Sequence, residues 1–199
     1  MPEVTINTPG LHDLVAAAWI ANRSFLRGIL QLTRTGDDMT VIGTDSYVML
    51  HVVIPASSCM GMEWPDGFSA RVEALYDIEQ IHRAIKHARS VHFRVEEWSG
   101  NNVIEVEGTD FNFIKKSVRI DLSTRAPLDI SKFTDMPRDD AQGEITLTDE
   151  ALSKVGRLAR KVSDDEWKLI DHGPLRAVEL VGNRGSRIVA MPIRPSGLP

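Results

Sequence analysis

Two runs of cations recur at matching places in the chain: His82, Arg83, Lys86, His87 and Arg89, then Lys154, Arg157, Arg160 and Lys161. Both runs lie off the apolar stripe of a helix-like segment, and the spacing of Lys154, Arg157 and Lys161 puts them on one helical face. Cations gathered on one face, in a chain of formal net charge −5, suit a local patch that meets a phosphate backbone. Acids first and bases last, as with Asp77 and Glu79 or Asp149 and Glu150, also suit any helix dipole, so a solvated amphipathic helix accounts for the same residues. The recurrence in register favours the patch.

No other constellation of reactive residues stands above background. The six histidines are scattered, with no His-x-x-x-His or Cys-x-x-Cys spacing, so no metal site is expected. No glycine-rich phosphate loop follows a strand, and no cofactor is expected. Cys59, the one cysteine, has no neighbour placed to activate it and reads as an inert thiol in a reducing, cytoplasmic setting. The acid pairs Asp37-Asp38, Asp139-Asp140 and Asp164-Asp165 read as turn residues, not as a general acid and base. An enzyme is not expected.

The elements that must carry the cations come from a repeat. Slid forward, Phe68–Ile120 falls on Gln142–Arg194 without a gap. The stripe Ile78, Ile81, Ile85, Ala88 lands on Leu152, Val155, Ala159, Val162, and Phe93-Arg94-Val95 lands on Trp167-Lys168-Leu169. Each copy reads strand, helix, then three strands. The N-terminal segment is a third, diverged copy, with Leu11, Leu14, Ala18 and Ala21 as its stripe, and Gly43-Thr44-Asp45 matching Gly108-Thr109-Asp110 after a strand. The pattern predicts helices over about 11–22, 76–89 and 149–162.

The layout expected for the 199 residues is a two-copy domain over 1–125, a linker over 126–142 and a third unit over 143–199. The Pro- and Gly-punctuated loop 55–67 joins the first two copies, its Met60, Met62 and Trp64 tucking onto a sheet edge or forming a sticky surface. No apolar run is long enough to span a bilayer and Met1-Pro2-Glu3-Val4 opens no signal peptide, so no membrane partner is expected.

Three stretches resemble the β sliding clamp of bacterial DNA polymerase III. They are Leu26–Leu32 followed by Ile42-Gly43-Thr44-Asp45, then Asn101–Lys115, and Arg187-Ile188-Val189-Ala190-Met191-Pro192-Ile193-Arg194, which is similar to that family's C-terminal strand ending in Met-Pro-Met-Arg. The resemblance implies an α+β clamp-like fold of repeated β-α-β-β-β units with helices on one face of antiparallel sheets. It implies a processivity factor in DNA replication, a ring threaded on double-stranded DNA without regard to sequence, that tethers a DNA polymerase and other clamp-binding proteins, with a clamp loader as a further partner. The DNA-facing residues would be Arg83, Lys86, His87, Arg89, Lys154, Arg157, Arg160 and Lys161, and Met191, Pro192, Ile193 and Arg194 would form a pocket for short hydrophobic peptides. Two departures stand out. A bacterial clamp subunit has six copies of the unit where this chain has three, and Ala16, Trp19 and Ile20 replace the cations on the first helix. Twelve helices line a clamp ring, so four chains would be needed, joined N-end to N-end and C-end to C-end, with the apolar first helix in the N-end joint; a dimer is the smaller assembly. The rival reading is a clamp-like interaction or decoy protein that binds clamp partners or a host clamp without encircling DNA.

Overall fold

The structure is a computed structural model, and it describes residues 1–24, 28–98, 101–131, 147–171 and 177–191. The first unit runs β1 (Glu3–Asn7), α1 (Gly10–Ala21), β2 (Ile29–Thr35), β3 (Asp38–Thr44) and β4 (Val48–Ile54). After β5 (Cys59–Met60), the second runs β6 (Ser69–Val72), α2 (Leu75–Ile85), β7 (Ser90–Trp98), β8 (Asn101–Thr109) and β9 (Lys115–Asp121). The third shows α3 (Asp149–Ala159), β10 (Trp167–Asp171), β11 (Val178–Gly182) and β12 (Arg187–Ala190). Its expected opening strand, like Leu26 and Arg27 of the first clamp-like stretch, lies outside the described residues.

All strand pairings are antiparallel and form two sheets, ordered β5-β1-β7-β8-β9 and β10-β11-β12-β4-β3-β2-β6. The first two units trade opening strands: β1 pairs with β7 of the second, and β6 pairs with β2 of the first. The third unit joins through its last strand, β12, which lies along β4 from Val48↔Ala190 to His51↔Arg187. The order in space is therefore third, first, second. This corrects the expectation that the first unit sits at an outer joint.

The correction explains α1. Ten of its residues, from Gly10 to Ala21, are buried, because α2 packs on one flank and α3 on another while β3 and β4 lie beneath. A helix enclosed that way keeps little solvent face to carry charge, here His12 and the half-buried Val15. Asp13 is the exception: its buried carboxyl accepts the Ser163 N–H at 2.8 Å and so ties α1 to the end of α3. Gly43 and Gly108 are needed where helix meets strand. A Cβ there would stand 2.0 Å from the Ala17 carbonyl oxygen and 2.3 Å from that of Ala84.

On α2 the core-facing residues are Ile78, Ile81 and Ile85, as the pattern predicts. On α3 they are Ala151, Val155 and Leu158, while Leu152 is 53% exposed. The face is thus rotated from the expected Leu152–Val155–Ala159 stripe. Gapless repetition also fails at the turn before the last strand, since Gly108 pairs with Lys116 whereas the Gly182 N–H donates to the Ser186 carbonyl. In the loop after β4, Trp64 is fully buried and meets Phe68 edge-on at 5.4 Å, while Met60 stays 62% exposed. Of the stretch read as a linker, 126–131 is described and is laid on the sheet. Gln31 donates to the Leu128 carbonyl at 3.3 Å and accepts the Leu128 N–H at 2.7 Å. Leu128 and Ile130 then cover Ile42, Met49, Ala177 and Val189, on the face of the second sheet away from the helices.

Candidate nucleic-acid interface and partner cleft

The ends of α2 and α3 both lie beside α1, at Leu11–Ala16 and at Asp13 and Trp19, and the residues there carry the cations. That placement is favoured locally, because the last carbonyls of a helix are left with partial negative charge. Lys86 caps α2 and Arg160 caps α3, and both are exposed, as are His87, Arg157 and Lys161. Arg83 is exposed but paired with Glu79 one turn earlier, at 2.5 Å. The Arg89 guanidinium lies 4.5 Å from the centre of the Phe113 ring, while its N–H holds the Thr109 carbonyl.

Lys154 is placed otherwise. Its side chain is 13% exposed, and Nζ sits 2.5 Å from the buried Asp45 carboxylate and 2.6 Å from Glu150. Those two acids outweigh its burial and hold its pKa above the usual lysine value. It is an internal tie between α3 and the turn before β4, and the patch loses it.

The structure adds residues that the repeat did not mark. Arg23, just past α1, and Lys161, just past α3, both stand over the Trp19 ring, at 5.3 and 5.4 Å. The half-buried His82 is held below the usual histidine range first by burial, then by Lys86, Lys161, Arg23 and His87. Cations from past α1 and past α3 therefore meet at the Trp19 ring. Beside them a cleft of about 490 Å³ is lined by His12, Lys86, His87, Phe111 and Lys161 over Leu11 and Val15. The spacing Trp19 to Arg23, one helical turn, was the available sign of the α1 contribution.

Such a surface attracts an extended anion without selecting bases, because its cations are exposed, separated and aimed from helix ends. Among the described residues no group of three or more His, Cys, Asp or Glu comes together. Cys59 is pushed up to about 11, by burial and then by Asp38, so its thiolate is scarce at neutral pH. No described helix is long and apolar enough to cross a membrane.

A second cleft, of about 160 Å³, opens on the outer side of the β4–β12 junction, lined by Ile29, Tyr47, Met49, Leu128, Val189 and Met191. Met191 is 37% exposed and its N–H donates to the Tyr47 carbonyl at 2.9 Å. Pro192, Ile193 and Arg194, expected beside it, lie outside the described residues. The rim is set by a tight turn. Asp45 accepts the N–H groups of Tyr47 and Val48 at 3.0 and 2.8 Å, Ser46 adopts φ 81°, and Tyr47 is left 64% exposed. Because Asp45 also takes Lys154, the rim and α3 are held by one carboxylate.

No protein-family model and no curated protein sequence matches the chain. Solved structures do. A DNA polymerase III beta subunit from Eubacterium rectale superposes with a TM-score of 0.63 at 10% identity, over 97% of this chain and 65% of that one. The Helicobacter pylori beta clamp bound to a DNA ligase peptide gives 0.60 at 13%, over 98% and 66%. The A. fulgidus PCNA bound to the C-terminal region of FEN-1 gives 0.58 at 13%, over 98% and 100%. The chain spans about two thirds of the length of these bacterial clamps. Its two antiparallel sheets and three described helices have the fold of the DNA sliding clamps.

Proposed function

We propose that the chain is a short sliding clamp, a non-catalytic processivity factor that surrounds duplex DNA and tethers a DNA polymerase. The observation that carries this is the set of exposed cations Arg23 and Lys161 over the Trp19 ring, with Lys86 and His87 lining the cleft beside them. Arg157 and Arg160 extend the exposed charge, and Arg83 and Arg89 flank it. Contact through screened charge lets a ring move along the duplex, whereas base-edge hydrogen bonds would hold it at one sequence. The outer cleft at Tyr47, Leu128 and Met191 is the seat for a hydrophobic segment of a polymerase or another clamp-binding protein. A loader would open the assembly, which by count of helices takes four chains.

The test is extension of a primed circle by a cognate polymerase. Arg157→Glu with Lys161→Glu should remove the stimulation while the circular dichroism spectrum and melting point stay put, since both side chains are exposed and off the core. Stimulation equal to wild type overturns the assignment of this face. The second reading, a clamp-like protein that binds partners without surrounding DNA, is chosen if the chain binds clamp-directed peptides yet stays monomeric.

A further inference from the structure

We infer that the turn between β8 and β9, with the cleft beside it, binds single-stranded nucleic acid: unpaired bases stack on Phe111 and Phe113, and Lys86, Lys161 and Arg89 hold the phosphates. The site borders the face proposed for duplex DNA and shares Lys86 and Lys161 with it. The two phenylalanines have no part in the duplex contact, and single-strand binding here needs no ring.

Aromatic rings left in water forgo the stabilisation that burial would give them. Phe111, Phe113 and Ile114 are nevertheless 76, 69 and 56% exposed. A slack tip would let them fold back, but this one is pinned. The Asp110 carboxylate accepts the N–H groups of Asn112 and Ile114 at 2.8 and 3.0 Å. The Asp110 N–H donates to the Ile114 carbonyl, and the Asp110 carbonyl takes the Phe113 N–H, both at 3.1 Å. Phe113 is held at φ 60°, a conformation that bulky residues seldom adopt and that persists only where the surroundings impose it. The backbone therefore presents the rings to solvent.

Cations complete the chemistry. Phe111 lines the cleft of about 490 Å³ together with His12, Lys86, His87 and Lys161. That volume is in the range of pockets that take a small ligand, about 300–1,000 Å³. Lys86, His87 and Lys161 are exposed, and among the described residues none of them is paired with a carboxylate. The Arg89 guanidinium, 4.5 Å from the centre of the Phe113 ring, puts a further cation beside the second ring. Lys115 does not join them, since Glu107 holds it at 2.8 Å. Exposed rings interleaved with free cations suit a single strand, because ring faces take bases of any sequence while the cations take the phosphates between them. A duplex has no use for the rings, its base faces being stacked on one another already. An anionic membrane also attracts aromatic and basic residues, but it is a flat surface, whereas Phe111 borders a concave site in a chain of net charge −5.

Fluorescence anisotropy of a labelled dT oligomer of about twelve nucleotides tests this on the 199-residue chain, at low salt and without polymerase, loader or circle. The wild-type chain should bind the oligomer. Phe111→Ala should weaken binding about tenfold, the worth of one stacked base. Phe111→Tyr, which keeps a flat ring, should bind as wild type does, and Phe111→Leu, which keeps only apolar bulk, should not. The same strand annealed to its complement should bind Phe111→Ala and wild type alike. An oligomer carrying bromodeoxyuridine should cross-link under ultraviolet light within residues 110–114. The proposal is overturned by a wild-type chain that leaves the oligomer free at about 100 μM protein, by equal losses on single strand and duplex, or by Phe111→Leu binding as wild type does. Competition by dTMP as strong as that by the oligomer overturns it in favour of an isolated nucleotide pocket, and Phe111-dependent capture on phosphatidylserine vesicles in favour of a membrane surface. Each of these failures leaves polymerase stimulation on a primed circle, and with it the clamp reading, to be judged separately.

Discussion

Met191 shows how one residue serves two structures. Its N–H continues the β12 junction by donating to the Tyr47 carbonyl, while the residue stays 37% exposed and lines the cleft with Val189 and Met49. A flexible, polarisable side chain at the mouth of an apolar cleft adapts to different hydrophobic segments. Met191→Ala keeps the backbone bond and removes the apolar surface. It should weaken binding of a hydrophobic clamp-directed peptide about tenfold, with the melting point changed little. Fluorescence anisotropy of a labelled peptide reads this, and unchanged affinity in a folded variant moves the seat elsewhere. Lys154 carries the opposite lesson. Its spacing with Arg157 and Lys161 placed it on a basic stripe, yet its partner Asp45 lies 109 residues away in sequence, beyond any local pattern. A lysine on a helix reads as solvated until the fold brings a buried acid to it.

At the scale of elements, the α2 stripe was legible because isoleucines at three- and four-residue spacing fill one face and charges fill the other. In α3 the pattern misled, since Leu152 and Ala159 fit the spacing as well as Ala151 and Leu158 do, and only packing against β12 and β4 decides between the two faces. For α1, apolarity all round announced burial but not what buries it. That answer lies in the β4–β12 pairing, which closes over a long sequence separation. The junction also contains a titrating group. His51 on β4 faces Arg187 on β12, which is also ion-paired with the buried Glu179 at 3.3 Å. Burial first, then Arg187, hold His51 down to about 4 from its ordinary 6.5. Between those values the unfolded chain takes up a proton that the folded chain refuses, so stability falls as pH drops from about 6.5 to about 4. The loss is on the order of 2–3 kcal/mol. Thermal melts at pH 7 and pH 5 should show it, and His51→Gln, which has no proton to take up, should flatten the difference. A slope equal to wild type in that variant assigns the acid sensitivity to other groups.

At the scale of the whole molecule, the order third, first, second decides how copies can meet. The N-terminal unit is enclosed, which leaves the β9 edge of the second unit, in place of the expected N-end joint, as one end to which a second copy could add. The other free end is the third unit. In the first two units each three-strand meander is flanked by the opening strand of its neighbour, β1 beside β7 and β6 beside β2. The β10 edge has no such neighbour among the described residues, and Leu169 on it is 65% exposed. An antiparallel β10–β10 pairing between two copies would give a two-fold joint at that end. With a like pairing of β9 at the other end both joints are two-fold, and alternating them closes four chains and twelve helices into one ring whose two faces are equivalent. The expected solution mass is four times 22.1 kDa. Leu169→Glu should cut it to the dimer held by β9. Light scattering on the wild type and the variant separates these states. A wild-type mass that stops at two chains rules out the ring, and a tetramer that survives Leu169→Glu places the second joint on some other surface.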